Sequence, residues 1–335
     1  MRVLNDPAVV REQSVLYDAR HAYVEAMAAI ERRFFDRIEI ALAEEQRFNL
    51  ERVRLLRERE RYPVVMVNPP GARVDLTTIL DRLASENDFF IDDRDAFNEE
   101  IVRYERRLTS LRARCWQGQI ERMTRGVELL AERRNATSDA KRDELRNTRQ
   151  SLNRRTGRPL VRLRELNDRT VDRLAAHLSD AAADAFRERY RAEAYPRVFP
   201  DFHDARELLA EAAAYEDLSP EIREALTAVA ERYEREVDQL NREMKRLSRE
   251  FGEHAALTRR TGGQTEQTFE RAMEERRERR RDLAERALDH AFELLPEEAR
   301  PRFAEKLDHR RERIDSIPEW KKRRDPTIRV DRMQY

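Results

Sequence analysis

Residues 219–251 read SPEIREALTAVAERYEREVDQLNREMKRLSREF, and this stretch decides the fold class. Ser219 is a favoured N-cap, Pro220 fits the first helical position, and Glu221 puts a carboxylate where the helix macrodipole favours one. Beyond that start, Ile222, Leu226, Val229, Tyr233, Val237, Leu240, Met244, Leu247 and Phe251 recur at intervals of three and four. That spacing lines one face of a helix and is the period of a coiled-coil seam.

The rest of the chain is punctuated in a way that lets the same pattern repeat. Only 7 Gly and 12 Pro occur in 335 residues, and residues 8–62, 71–158, 160–195 and 221–295 hold no proline. An interior proline costs a helix about 3 kcal/mol or more, so long gaps filled with Ala, Leu, Glu and Arg are what long helices need. A β-protein needs many more turn residues. Charged residues make up 41% of the chain, but the 68 basic and 68 acidic residues cancel, and 39% of residues are apolar and regularly spaced. This is the composition of solvent-bathed helices with narrow buried seams rather than of a disordered chain, which combines low hydrophobicity with large net charge.

Working outward, Asp6-Pro7 starts a helix whose seam runs through Leu16, Tyr23, Met27, Ile30, Phe34, Ile38 and Leu42, and which extends to Arg61 before Pro63. Residues 62–74 form an apolar connector, Asp75 caps a short helix, and residues 87–93 turn into a long helix with the seam Phe97, Ile101, Tyr104, Leu108, Leu111, Cys115. The seam steps to Trp116 and continues to Leu130; residues 131–158 are nearly all polar, with Leu145 and Leu152 isolated. They are expected to form a projecting hairpin tip, with a break at Thr156-Gly157-Arg158-Pro159. Further helices follow over 180–194, 204–214, from Ser219, over 265–293 and from near Pro296, with a tail over 316–335. The expected organisation is a long N-terminal helix (1–61), a connector and short helix (62–92), a central hairpin region (93–215), a C-terminal helical region (216–315) and the tail. The fold class is all-α, with long amphipathic helices in antiparallel hairpins forming an extended, coiled-coil-like bundle.

Three helix starts share a shape: Leu178-Ser179-Asp180-Ala181-Ala182 leading to Phe186, Leu218-Ser219-Pro220-Glu221-Ile222 leading to Leu226, and Leu295-Pro296-Glu297-Glu298-Ala299 leading to Phe303. Over about 178–310 this resembles the Spy/CpxP-like proteins, which carry a Leu-Thr-x-x-Gln motif at a helix start; Ser stands for Thr at 179 and 219, and Ala182 and Ile222 stand at the Gln position. The resemblance implies an exported, all-helical bacterial protein that dimerises into a curved cradle and serves as an ATP-independent chaperone or stress adaptor.

The residues themselves point away from catalysis. None of the six His has Glu three positions before it, as a di-iron bundle requires, although His290 with Glu293 and His309 with Glu312 share helix faces on which zinc ligands could sit. The sole cysteine, Cys115, lies on a seam with no His near it in sequence and reads as a small buried hydrophobe. No dinucleotide fingerprint, P-loop or nucleophile elbow occurs. The run Arg276-Arg277-Glu278-Arg279-Arg280-Arg281 alternates with glutamates and reads as an ion-pair lattice; Trp116, Tyr104 and Phe97 read as core. Only five of the 68 basic residues are Lys, a bias expected of GC-rich, bacterial coding rather than of phosphate recognition.

The functional expectation is a non-enzymatic protein without cofactor or metal. It either holds partly unfolded clients in the manner of the Spy/CpxP group or acts as a coiled-coil scaffold or adaptor for one protein partner. A homodimer is expected, because narrow seams on long helices need cover. Nucleic-acid binding and membrane insertion are not expected, since net charge is zero and no apolar run approaches ~20 residues. The compartment is the bacterial envelope if a signal has been removed from this chain, and otherwise the cytoplasm. Val64, Val65, Met66, Val67, Phe199 and Phe202, apolar residues in two connectors, are the candidate protein-binding residues.

Overall fold

In the computed structural model, residues 7–62, 69–86, 90–199, 205–258 and 263–315 are described. Among them the chain forms ten α-helices, and the sole extended pairing is an isolated antiparallel bridge between Ile91 and Leu178. The protein is all-α. Two compact units divide it, one comprising Met1–Ala194 with Gly252–Arg260 and the other Tyr195–Phe251 with Thr261–Tyr335.

The first unit is built on a helical hairpin. Helix α4 (Arg94–Asn135) begins at Asp93, whose side chain accepts the Ala96 N–H at 3.0 Å; helix α5 (Asp139–Ala175) begins at Ser138, whose hydroxyl accepts the Lys141 N–H. The turn between them is only Ala136–Ser138. Register follows from pairs along the whole length: Leu129 and Leu145 share a small core with Ala136 and Leu152, Glu121 pairs with Arg155, Gly118 faces Thr156, and Tyr104 bonds Asn167. The expected hairpin tip is therefore present, but Leu145 and Leu152 are buried rather than isolated.

The expected break at 156–159 is corrected. Helix α5 runs straight through Gly157 and Pro159. Proline abolishes one backbone hydrogen bond, but the packed hairpin holds the helix across it. Gly157 is there for closeness: a Cβ would sit 2.1 Å from the carbonyl oxygen of Ala256.

The N-terminal region is corrected too. In place of one helix to Arg61, α1 (Pro7–Ala41) and α2 (Glu44–Glu60) are separated at Leu42–Ala43. Ala43 is extended, and its N–H is taken by the Gln46 side chain, half of a capping box. Ion pairs of Arg54 with Asp36 and Glu39, and of Arg57 and Arg61 with Glu31, fold α2 back antiparallel on α1. No Gly or Pro marks this break, which leaves it invisible to a reading of helix breakers. The unit is completed by α3 (Leu76–Glu86), started by Asp75 through the Thr77 N–H and hydroxyl, by α6 (Asp180–Ala194), and by the end of helix α8 (Pro220–Thr258).

In the second unit the quoted stretch is helical from Pro220 onward. Leu226, Val229, Tyr233 and Val237 are buried with Leu209 and Ala212 of α7 (Arg206–Ala213), Leu288 and Ala291 of α9 (Gln264–Leu294), and Phe303 of α10 (Arg300–Asp315). Tyr233 places its hydroxyl to accept the Ala205 N–H at 3.3 Å. Phe251 and Phe269 stack at 4.2 Å. Most of the arginine run is engaged: Arg277 and Arg281 pair with Glu274 on the same helix, Arg276 pairs with Glu243, and Arg280 donates to the Val198 carbonyl and the Asn241 side chain.

Candidate binding groove

A buried polar framework fixes which faces of α4 and α5 remain open. Tyr104, 1% exposed, accepts the Leu76 N–H and donates to Asn167 Oδ1, each at 3.0 Å. Asn167 Nδ2 in turn donates to the carbonyls of Gly71 and Val74, both at 2.8 Å, so residues 71–74 are pinned to the hairpin. Burial, reinforced by the nearby Asp75 charge, pushes the Tyr104 hydroxyl far above its ordinary pKa, keeping it a neutral donor. Beside it, Arg59 (2% exposed) lies 3.4 Å from Glu105 and 3.5 Å from Asp75, while Arg52 binds Glu105 and Arg112 binds Asp75. Removing one member of such a network strands a buried charge, so it holds α2 and the start of α3 in one position on α4.

With α2 covering Glu105 and Thr109, the next face of α4 is left to solvent. There a groove of about 740 Å³ opens between the two long helices. Its α4 wall is Arg106, Arg107, Ser110, Leu111 and Arg114; its α5 wall is Arg162, Glu165, Leu166, Arg169 and Arg173. Each helix presents the same motif, Arg-x3-Leu-x2-Arg, at 107–114 and at 162–169. Positions i, i+4 and i+7 share a helix face, so each wall carries a leucine between two guanidinium groups.

Six arginines and one glutamate line a groove in a chain whose net charge is zero. Three of the arginines are neutralised: Arg106 by Glu51 at 2.6 Å, Arg169 by Glu165 at 3.2 Å, and Arg173 by Glu100 at 3.1 Å. Arg107, Arg114 and Arg162 have no carboxylate partner among the described residues. Fully ionised, they leave an excess of positive charge beside apolar surface.

Other parts of the molecule offer less chemistry. Cys115 is buried, and burial pushes its thiol up to about 12, against the weaker pull of Arg112, so it is not poised as a nucleophile. Phe97, Tyr104 and Trp116 are core residues. Among the described residues no group of three His, Cys, Asp or Glu could hold a metal ion, and no helix is long and apolar enough to cross a membrane. Of the candidate protein-binding residues, Val64, Val65, Met66, Val67 and Phe202 lie outside the described residues, and Phe199 is half-buried in the turn after α6.

The groove arginines are not among the candidate residues that the sequence offers. Their signal, a seven-residue arginine spacing around a leucine on both arms of one hairpin, is written there. In a chain where 63 of 335 residues are Arg it does not stand out until the fold sets the two motifs face to face. No protein-family model, curated protein or solved structure matches this chain, so the case for what it does rests on this groove and the surfaces around it.

Proposed function

We propose that this protein is a non-enzymatic helical scaffold or adaptor that holds one specific protein partner in the groove between α4 and α5. The observation that carries this reading is the set of unpaired guanidinium groups of Arg107, Arg114 and Arg162 around the leucines at 111 and 166. Desolvating an apolar floor beside unpaired charge is favourable only when an occupant supplies both apolar side chains and carboxylates. The rigid framework beneath, anchored by Asn167 and Arg59, favours one preformed site over a surface that adapts to many clients. A photoreactive amino acid at the exposed Ser110, introduced into the protein in its own cells, tests the reading. One dominant cross-linked protein, lost when Arg107 and Arg162 are changed to Glu, is the expected result. No cross-link, or a smear of unrelated proteins, defeats it.

A second reading keeps the resemblance to the Spy/CpxP group: an envelope chaperone, dimeric, holding partly unfolded proteins. Its support is the apolar face of α1, where Tyr23, Ile30 and Phe34 are 65%, 59% and 57% exposed. Exposed apolar surface of this kind is either a client surface or a contact between copies. Suppression of aggregation of two unrelated unfolding proteins at substoichiometric amounts favours the chaperone; no suppression leaves the adaptor.

A further inference from the structure

We infer that the occupant of the α4–α5 groove is an acidic amphipathic helix, docking as the third strand of a coiled coil; this rests on the reading of the groove as a protein-binding site. Three features select this ligand. The first is shape: two antiparallel helices leave a trough between them, lined here by residues of 106–114 and 162–173, and a third helix fills such a trough with its own apolar stripe. The second is repeat: Arg107 and Arg114 on one wall, and Arg162 and Arg169 on the other, are each seven residues apart. Seven residues are two helical turns, about 10.5 Å. A docked helix presents its flanking positions at the same heptad repeat, so glutamates there meet Arg107 and Arg114 in succession on one wall and Arg162 on the other, where Arg169 is already held by Glu165. The third is the floor: Leu111 and Leu166 take apolar side chains from the stripe between the glutamates.

The same features weigh against a nucleic acid. Duplex phosphates carry one charge per about 1.7 Å of axis and gain nothing from a leucine floor. The arginine bias extends over the whole chain, so it is no sign of phosphate recognition.

The test uses the full-length protein and a 21-residue peptide designed with Leu at its a and d positions and Glu at e and g. A second peptide of identical composition but shuffled order removes the stripe while keeping the charge. Fluorescence anisotropy is read for both, for a 20-nucleotide oligo-dT and for vesicles of phosphatidylserine and phosphatidylcholine. The designed peptide is expected to bind saturably and at least tenfold more tightly than the shuffled one, and to weaken several-fold between 50 and 500 mM salt, as partly exposed ion pairs do. The triple variant Arg107→Glu/Arg114→Glu/Arg162→Glu should lose at least tenfold. A triple reversal at the exposed Arg32, Arg191 and Arg242, which changes net charge equally, should not. Circular dichroism establishes that both variants remain folded.

Equal binding of the two peptides overturns the inference, because charge alone then explains it. So does indifference to the groove variant, or groove-dependent binding of oligo-dT or vesicles tighter than that of the designed peptide. If the peptide fails while Ser110 still cross-links to one protein, the groove binds a protein but not an acidic helix. If the cross-link also fails, the reading of the groove falls with it.

Discussion

Replacing glycine by alanine should have opposite effects at two positions of the same hairpin. Gly126 and Gly157 both lie inside long helices, α4 and α5. On helix propensity alone, each substitution stabilises by about 0.8–1 kcal/mol. At Gly126 that gain should be realised, because the nearest atom a Cβ would meet is Arg122 Cγ at 4.0 Å, an ordinary contact. At Gly157 the Cβ would sit 2.1 Å from the Ala256 carbonyl oxygen and 2.8 Å from its carbon. That obstacle is backbone near the end of α8 and cannot swing aside as a side chain does. The end of α8 must move by an ångström or more, and overpacking of this kind costs about 1–3 kcal/mol, occasionally more. After the propensity gain the net loss lies between about 0 and 2 kcal/mol, and an obstacle made of backbone puts it toward the upper end. At about 2–4 °C per kcal/mol for a unit of this size, Gly126→Ala should melt a few degrees above the parent and Gly157→Ala several degrees below it. Thermal melting followed by circular dichroism reads both. Gly252 supplies a cross-check, since its Cβ would lie 2.4 Å from Pro70 Cδ and 3.1 Å from Pro69 Cα in the same packing layer. The double variant Gly157→Ala/Gly252→Ala should lose less than the sum of the singles, because the first already displaces the end of α8 that carries the second. If Gly157→Ala raises the melting temperature as much as Gly126→Ala does, the close approach of α8 to α5 is wrong.

Other outcomes follow from burial and charge. Arg59→Met should lower stability by about 3 kcal/mol, because Glu105 and Asp75 then lose a shared, fully buried partner; a melting temperature within 2 °C of the parent would show that Arg52 and Arg112 suffice. Leu240→Asp, at a site 3% exposed, should be far more damaging than Gln239→Asp on the exposed neighbouring position, and equal urea midpoints would mean that the α8 seam is not buried. Cys115, with its thiol pushed up to about 12, should react with iodoacetamide at pH 8 at least 100-fold more slowly in the folded protein than in urea; fast labelling of the folded chain would contradict its burial. The sign extends to stability: above about pH 9 the unfolded thiol ionises while the buried one does not, so its contribution is complete below that pH and declines as pH rises toward 12.

Helical class, seam positions and most helix starts were legible in the residues, because each depends on neighbours within four positions. Ser219-Pro220 starts α8 and Asp75 starts α3 through local hydrogen bonds and fixed dihedral angles, whatever the rest of the chain does. The same local logic failed where a distant contact outweighed it. Gly157 and Pro159 spell a break, yet packing against α4 and the end of α8 keeps the helix whole. Leu42 and Ala43 spell continuation, yet ion pairs from α2 back to Glu31, Asp36 and Glu39 accompany a fold there. Leu145 and Leu152 look isolated in the sequence because their partners are Leu129, on the other arm of the hairpin, and Ala136, in the turn between the arms. The groove shows the division most clearly: each Arg-x3-Leu-x2-Arg motif is local and readable, but an arginine on a solvated face and an arginine in a site are the same letter. Only the antiparallel register of α4 and α5, set by long-range pairs such as Tyr104 with Asn167, brings the two motifs together, and only the packing of α2 and α5 on α4 gives Arg106 and Arg173 the carboxylates that Arg107, Arg114 and Arg162 lack.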